Sequence, residues 1–215
     1  MRNLEINFTN HFQKLPEKIY KLIFYNFLMI DQKLESRKIV VLGTYCSGKT
    51  TLSEIISKRY NLTLSEDALK LEIDENFVGR NFNNLNNEEA MVISVRAFKR
   101  RKKFEMKNTS FVSDAGFISE LAYYLSYINN EKNTSPSLVK NSLDYSQIYT
   151  EVFYLPMEIE FQQDNYRPNN LELRKNIDNK IREILKEKNI NFKTISGNIP
   201  ERINQIENYL EPKKG

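Results

Sequence analysis

The sequence predicts a three-layer α/β fold in which a parallel sheet lies between two layers of helices. Three observations carry that prediction. Short runs rich in β-branched or aromatic residues, of which Lys38-Ile-Val-Val-Leu42 is the clearest, stop abruptly at glycine or an acid, as strands buried on both faces do. Amphipathic helical stretches alternate with these runs, and strand–helix alternation specifies a parallel sheet. The first run passes through a glycine-containing turn directly into a helix.

Residues 1–36 read as an N-terminal amphipathic helical extension. Phe12, Leu15, Ile19, Leu22, Ile23, Phe27 and Ile30 recur at three- and four-residue spacing and make one apolar stripe. Pro16 suits the first turn of that helix. The stripe predicts packing on the main domain, with a homodimer or partner contact, or a membrane surface, as alternatives.

The main domain occupies 37–211, and 212–215 form a tail. After the first strand, a helix over 51–60 carries Leu52, Ile55 and Ile56 at helical spacing. A short strand over 61–64 is closed by Ser65-Glu66-Asp67. Residues 68–87 show no clear period, and the asparagine-rich 81–87 reads as an exposed loop. The stretch 88–107 reads as one long helix, acidic at its start and basic at its end (Lys99-Arg-Arg-Lys-Lys103), the order the helix dipole favours. A third strand over 110–113 leads into Asp114-Ala-Gly116 and an aromatic-rich helix over 117–127. Residues 129–146 read as loop-like or weakly helical. A fourth strand over 151–155 ends at Pro156, and a polar segment over 158–170 follows. The helix over 171–188 has Leu173, Ile177, Ile181, Ile184 and Leu185 on one face. A fifth strand over 191–195, the Ser196-Gly197 turn and a helix over 200–210 complete the chain.

Composition narrows the function. Among 215 residues, 32 Lys+Arg against 28 Asp+Glu leave a net charge of +4, which admits an anionic ligand without arguing for nucleic acid. One cysteine, Cys46, excludes a disulfide framework and any multi-cysteine metal site. The one histidine, His11, lies in the extension, so Ser-His or Cys-His catalysis is disfavoured. The most apolar early stretch, 22–30, is about half the ~20 residues a membrane span needs and has no small-x-small cleavage pattern. A cytoplasmic protein is expected.

The chemistry-bearing motif is Gly43-Thr-Tyr-Cys-Ser-Gly-Lys-Thr50, a full match to G-x-x-x-x-G-K-[ST] between a strand and a helix. In such a loop the backbone of Gly43, Thr44, Tyr45, Cys46, Ser47 and Gly48 forms a nest of N–H donors, and the helix start at Lys49, Thr50 and Thr51 adds positive potential. Lys49 would reach the β- and γ-phosphates of ATP, and the Thr50 hydroxyl would hold Mg²⁺. Asp114, directly after the third strand, stands where a second acid can hold the metal's water shell. Glu66, at the end of the second strand, could accept a substrate hydroxyl's proton or bind that hydroxyl. Arg167 and Arg174 flank the polar segment, where a lid closing over ATP would carry them. Gly197, in the turn after the fifth strand, would lie beside adenine.

With Phe111-Val-Ser-Asp114-Ala-Gly-Phe-Ile-Ser-Glu-Leu-Ala-Tyr123, Val152-Phe-Tyr-Leu-Pro156, Asp164-Asn-Tyr-Arg167 and Ser196-Gly197 followed by Arg202, the chain over 37–211 resembles the small P-loop nucleoside and nucleotide kinases. It is most similar to the AAA-domain kinase-like group that includes the nicotinamide riboside kinase domain of bacterial NAD-salvage proteins. The resemblance implies a P-loop NTPase fold, five parallel strands in the order 2-3-1-4-5, with Gly43, Glu66, Asp114 and Pro156 at one edge. It further implies transfer of the γ-phosphoryl group of ATP to a nucleoside-like or other small hydroxyl-bearing acceptor.

Two departures stand out. Ala115 replaces the family's arginine after Asp114, and Glu120 lies one place later than the family's second acid. Either Arg96 or Arg100 supplies the missing cation, or phosphoryl transfer is impaired. The acceptor is expected between Glu66, the 88–107 helix and the helix beginning at Phe117, with Tyr123 and Tyr124 available for stacking. The alternative function is a nucleotide-binding or ATPase module with a regulatory or partner-docking role.

Overall fold

In the computed structural model, the described residues are 37–77, 79, 85–127, 134–159 and 170–211. The N-terminal extension with its apolar stripe, the tail, Asp164 and Arg167 lie outside them. Five strands, β1 (Lys38–Leu42), β2 (Thr63–Ser65), β3 (Phe111–Asp114), β4 (Glu151–Tyr154) and β5 (Lys193–Thr194), form one sheet in the order β2-β3-β1-β4-β5. Every pairing is parallel. The expected order and direction therefore hold. The described helices are α1 (Lys49–Tyr60), α2 (Ala68–Asn76), α3 (Asn87–Glu105), α4 (Gly116–Tyr127), α5 (Pro136–Ser146), α6 (Leu171–Glu187) and α7 (Ile199–Leu210).

β1 is the central strand, and its alternation builds both cores. Val40 and Leu42 face one side, with Phe111, Val152 and Tyr154 beside them and Phe117, Leu121, Ile177 and Ile181 of α4 and α6 above. Ile39 and Val41 face the other, where Leu52 and Ile56 of α1 meet Ile206 and Leu210 of α7. Residues 39–42 are fully buried, which explains why this strand reads as an unbroken apolar run.

Two helices differ from expectation. α2 lies inside the stretch that showed no period. Its apolar residues Leu69, Leu71 and Ile73 alternate as in a strand, but Asp67 caps the helix, accepting from the N–H groups of Leu69 and Lys70. Only one side of α2 is buried, Ala68, Leu69 and Ile73 packing on Ile93 and Ala97 of α3. α5 is a regular helix, with Ser135 as its N-cap and Pro136 in the first turn.

Candidate functional site

The loop from Gly43 to Gly48 joins β1 to α1 at the carboxyl edge of the sheet. Cys46 (φ 55°) and Gly48 (φ 90°) are left-handed, the alternation that curls a backbone into an anion-binding nest. Lys49, only 6% exposed, donates through Nζ to the Thr44 carbonyl at 2.9 Å. From the adjacent strand, Asp114 accepts the Thr50 hydroxyl proton on Oδ2 at 2.7 Å. The register puts Asp114 beside Val41, so this acid is carried to the loop by strand pairing alone.

Burial pushes the Asp114 carboxyl up from its ordinary range; the Lys49 ammonium opposes that shift and neighbouring Asp67 adds to it. Asp114 Oδ1 is buried and has no hydrogen-bond partner among the described residues. A buried carboxylate oxygen left over beside a metal-type hydroxyl fits a divalent cation with oxygen ligands.

These groups open onto a cleft of about 1150 Å³ lined by Lys49, Thr50, Thr51, Glu66, Asp67 and Asp114, and continuing between α1 and α2 past Lys58 and Lys70. Glu66 is exposed on its wall. Asp67 raises the pKa of both Asp114 and Glu120, so its carboxylate belongs to the same acidic wall.

The expected arginines take other places. Arg100 binds Glu72, through Nε at 2.5 Å, and Glu75, both of α2. Arg96 donates to the Asn76 side chain at 2.7 Å. Neither lines the cleft. Their spacing of four put them on one face of α3, but that face packs on α2, whose position was not legible. The arginine at the centre is Arg101, with a side chain that is 0% exposed. Its Nε and Nη2 donate to Glu120 Oε1 (2.9 and 2.6 Å), and Nη1 donates to Glu105 at 3.0 Å. It also donates to the Ser65 and Ser113 hydroxyls and the Glu66 and Asp114 carbonyls, the last residues of β2 and β3 and Glu66 just beyond. Arg101 thus ties together the two strand ends that bear the acids. Its place in a basic run of five masked it in the sequence; the signal was Glu105 four residues on.

Arg174 holds the loop from behind rather than closing over it as a lid residue would, and Gly197 is not among the residues lining the cleft. Arg174, 3% exposed, donates to the carbonyls of Tyr45, Cys46 and Ile159. Gly197 donates its N–H to Glu158 and accepts from Arg202. Gly43 donates its N–H to the buried Ser119 hydroxyl at 3.3 Å, a contact with no sequence signature. Tyr124 is 1% exposed and takes the Ser135 N–H on its hydroxyl, so it is a core residue and not a stacking platform. Tyr123 packs against Tyr45, ring centroids 6.1 Å apart.

Among the described residues no helix is long and apolar enough to cross a membrane. No curated protein matches the chain in sequence. Solved structures match the fold. A NadR protein in complex with NAD and AMP-PNP superposes with a TM-score of 0.62 at 14% identity, covering 84% of this chain and 51% of its own. The present chain therefore spans about half the length of that protein. Deoxyadenosine kinase from M. mycoides, with products dCMP and dCDP, gives 0.60 at 16% identity, over 82% of this chain and 100% of the kinase. Thymidylate kinase from Candida albicans gives 0.56 at 14% identity, over 82% and 92%. The family model for the AAA domain matches residues 38–202. The chain belongs to the AAA domain family and has the fold of the P-loop nucleoside and nucleotide kinases.

Proposed function

We propose that the protein is an ATP-dependent kinase that transfers the γ-phosphoryl group of ATP to a nucleoside-like or other small hydroxyl-bearing metabolite. One observation carries the reading: Lys49, the Thr50–Asp114 pair and Glu66 line a single cleft at the carboxyl edge of a parallel sheet. Phosphoryl transfer asks a protein mainly for positioning and neutralisation of charge, which is what this set supplies. Lys49 would leave the Thr44 carbonyl for the β- and γ-phosphates, and the loop's N–H groups would hold the β-phosphate. Thr50 and Asp114 would hold Mg²⁺, which would supply neutralisation of the polyphosphate's charge. Glu66 would take the proton of the acceptor hydroxyl as its oxygen bonds to the γ-phosphorus and the bond to ADP breaks.

The acceptor would enter from the α1–α2 side of the cleft, where Lys58, Lys70 and Leu71 lie, rather than between Glu66, α3 and α4 as the sequence predicts, since neither α3 nor α4 contributes a lining residue. The NadR and deoxyadenosine kinase structures, which share this fold, hold nucleotides, and this supports a nucleotide as ligand. A cytoplasmic enzyme acting on a free metabolite is consistent with the single cysteine.

A second reading, a nucleotide-binding module that turns over slowly, is favoured by Ala115, which offers no cation at the cleft. Incubation of the full chain with ATP, Mg²⁺ and a panel of nucleosides and nucleotides separates the two. ADP release that depends on one class of acceptor and disappears in Lys49→Ala supports the kinase. ATP binding with no acceptor-dependent ADP release supports the module.

A further inference from the structure

We infer that Arg174 and Arg202 are positioning residues of the phosphate loop: two buried guanidinium groups, delivered by α6 and α7, hold three consecutive loop carbonyls and so aim the loop's peptide N–H groups into the cleft. Arg174 donates through Nε to the Tyr45 carbonyl at 3.1 Å and through Nη2 to the Cys46 carbonyl at 3.2 Å. Arg202 donates through Nη1 to the Ser47 carbonyl at 2.6 Å. The two arginines are 3% and 0% exposed.

In a trans peptide the carbonyl and the following N–H point in opposite directions. Fixing the carbonyls of residues 45, 46 and 47 toward α6 and α7 therefore turns the N–H groups of Cys46, Ser47 and Gly48 the other way. The flanking carbonyls are also satisfied, Thr44 by Lys49 and Gly48 by the Leu52 N–H, so the loop's acceptors are accounted for in order. Cys46, a non-glycine residue at φ 55°, is in a conformation that needs such outside support. Both cations sit behind the loop in a poorly screened interior, where they also favour an anion in front of it.

The same two side chains tie the loop to the chain leaving β4. Arg174 Nη2 donates to the Ile159 carbonyl at 2.8 Å, and Arg202 Nη2 lies 3.3 Å from Glu158 Oε2. Glu158 also takes the Gly197 N–H. The loop and the 158–159 connection consequently move as one unit. The inference goes beyond the kinase reading and rests on it only for the polyphosphate as ligand.

The test uses the full chain and its single cysteine, which lies in the loop and reports on it directly. Thiol labelling of Cys46 by dithiobis-nitrobenzoate, Mg-ATP affinity and thermal unfolding are measured on wild type, Arg174→Gln, Arg202→Gln and both lysine variants. Arg59→Gln, which loses a half-exposed pair with Glu207 away from the loop, is the stability control. Losing a charge-assisted hydrogen bond to the loop should raise native-state labelling and weaken Mg-ATP binding, each about tenfold or more. Lysine should recover only part of both effects, because one ammonium cannot bridge two carbonyls as a guanidinium fork does. Arg59→Gln should change neither.

Glutamine variants that fold, label at the wild-type rate and bind Mg-ATP normally overturn the inference. If they do not fold, lysine variants indistinguishable from wild type overturn it. A wild-type chain that binds no ATP removes the kinase reading, and the labelling rates alone then decide this one.

Discussion

Arg101 Nη2 lies 2.6 Å from Glu120 Oε1 in the interior beneath the cleft, the guanidinium fully enclosed and the carboxylate 8% exposed. The pair gives a structural reason for one departure from the family pattern. Glu120, one place later than the family's acid, faces inward to Arg101 and helps lock the ends of β2 and β3. Arg101→Met would leave Glu105 and Glu120 buried without their counter-charge. Urea unfolding should then show a loss of about 3–5 kcal/mol, the usual result of breaking a buried pair from one side. A loss under 1 kcal/mol would show that water or rearrangement replaces Arg101.

The same pair has a pH signature. Burial pushes the Glu120 carboxyl up to about 7, against the pull of Arg101. A folded-state value above the ordinary one means that Glu120 contributes its full stability below about pH 4.5 and loses it as pH rises through about 7. Relative to Glu120→Gln, wild type should therefore lose stability between pH 4.5 and 7.5, on the order of 3 kcal/mol. Parallel unfolding curves for the two proteins across that range would remove the assignment.

Nucleotide binding should depend on Lys49 and, through Thr50 and Asp114, on Mg²⁺. Lys49→Ala should weaken Mg-ATP binding or abolish turnover, while Cys46→Ala should change little, since the loop uses that residue's backbone. In Asp114→Asn, adding Mg²⁺ should no longer strengthen ATP binding, and EDTA should reduce wild type to the same level. Titrations followed by calorimetry check both, and unchanged affinity in Lys49→Ala would mean that the loop is not a working phosphate site.

Gly116 opens α4 at φ 60°, and a Cβ there would meet Val40 Cγ2 at 2.4 Å and the Tyr149 hydroxyl at 3.0 Å. Val40 belongs to the buried central strand and cannot yield. Gly116→Ala should lower the unfolding midpoint sharply, by several degrees or more. An alanine variant as stable as wild type would show that the turn tolerates the strain.

The strands, the loop and Asp114 were legible because each is encoded locally: a β-branched run, a fixed glycine and lysine spacing, an acid at a strand end; the order of the strands followed from the family resemblance instead. What escaped reading depends on partners far away in the chain. Arg96, Arg100 and Arg101 lie within six residues of one helix, and only the packing of α3 decides which of them enters the core. Arg174 looked like a lid residue from its place before a helix, yet its bonds run to Tyr45 and Cys46, 129 and 128 residues away. α2 was hidden because its apolar residues alternate while its capping aspartate, Asp67, is a common turn residue.

Glu66 and Asp67 are adjacent acids at the cleft, and one of them has a structural task. Asp67 accepts two backbone N–H groups at the start of α2, at 3.1 and 3.2 Å, so it has a structural task. The Glu66 side chain is exposed on the cleft wall, while its carbonyl is held by Arg101. A base needs a carboxylate that can approach the acceptor hydroxyl, and an anchored backbone that keeps it aimed at the γ-phosphate. Glu66→Gln should therefore lower kcat by ~10²–10⁴-fold while leaving Mg-ATP affinity and the unfolding midpoint unchanged. Asp67→Ala should instead lower stability by ~1 kcal/mol, the usual cost of losing an N-cap. Single-turnover measurements with the best acceptor, alongside unfolding curves, distinguish the two. Full turnover in Glu66→Gln, with the rate lost in Asp67→Asn, would transfer the role of base to Asp67.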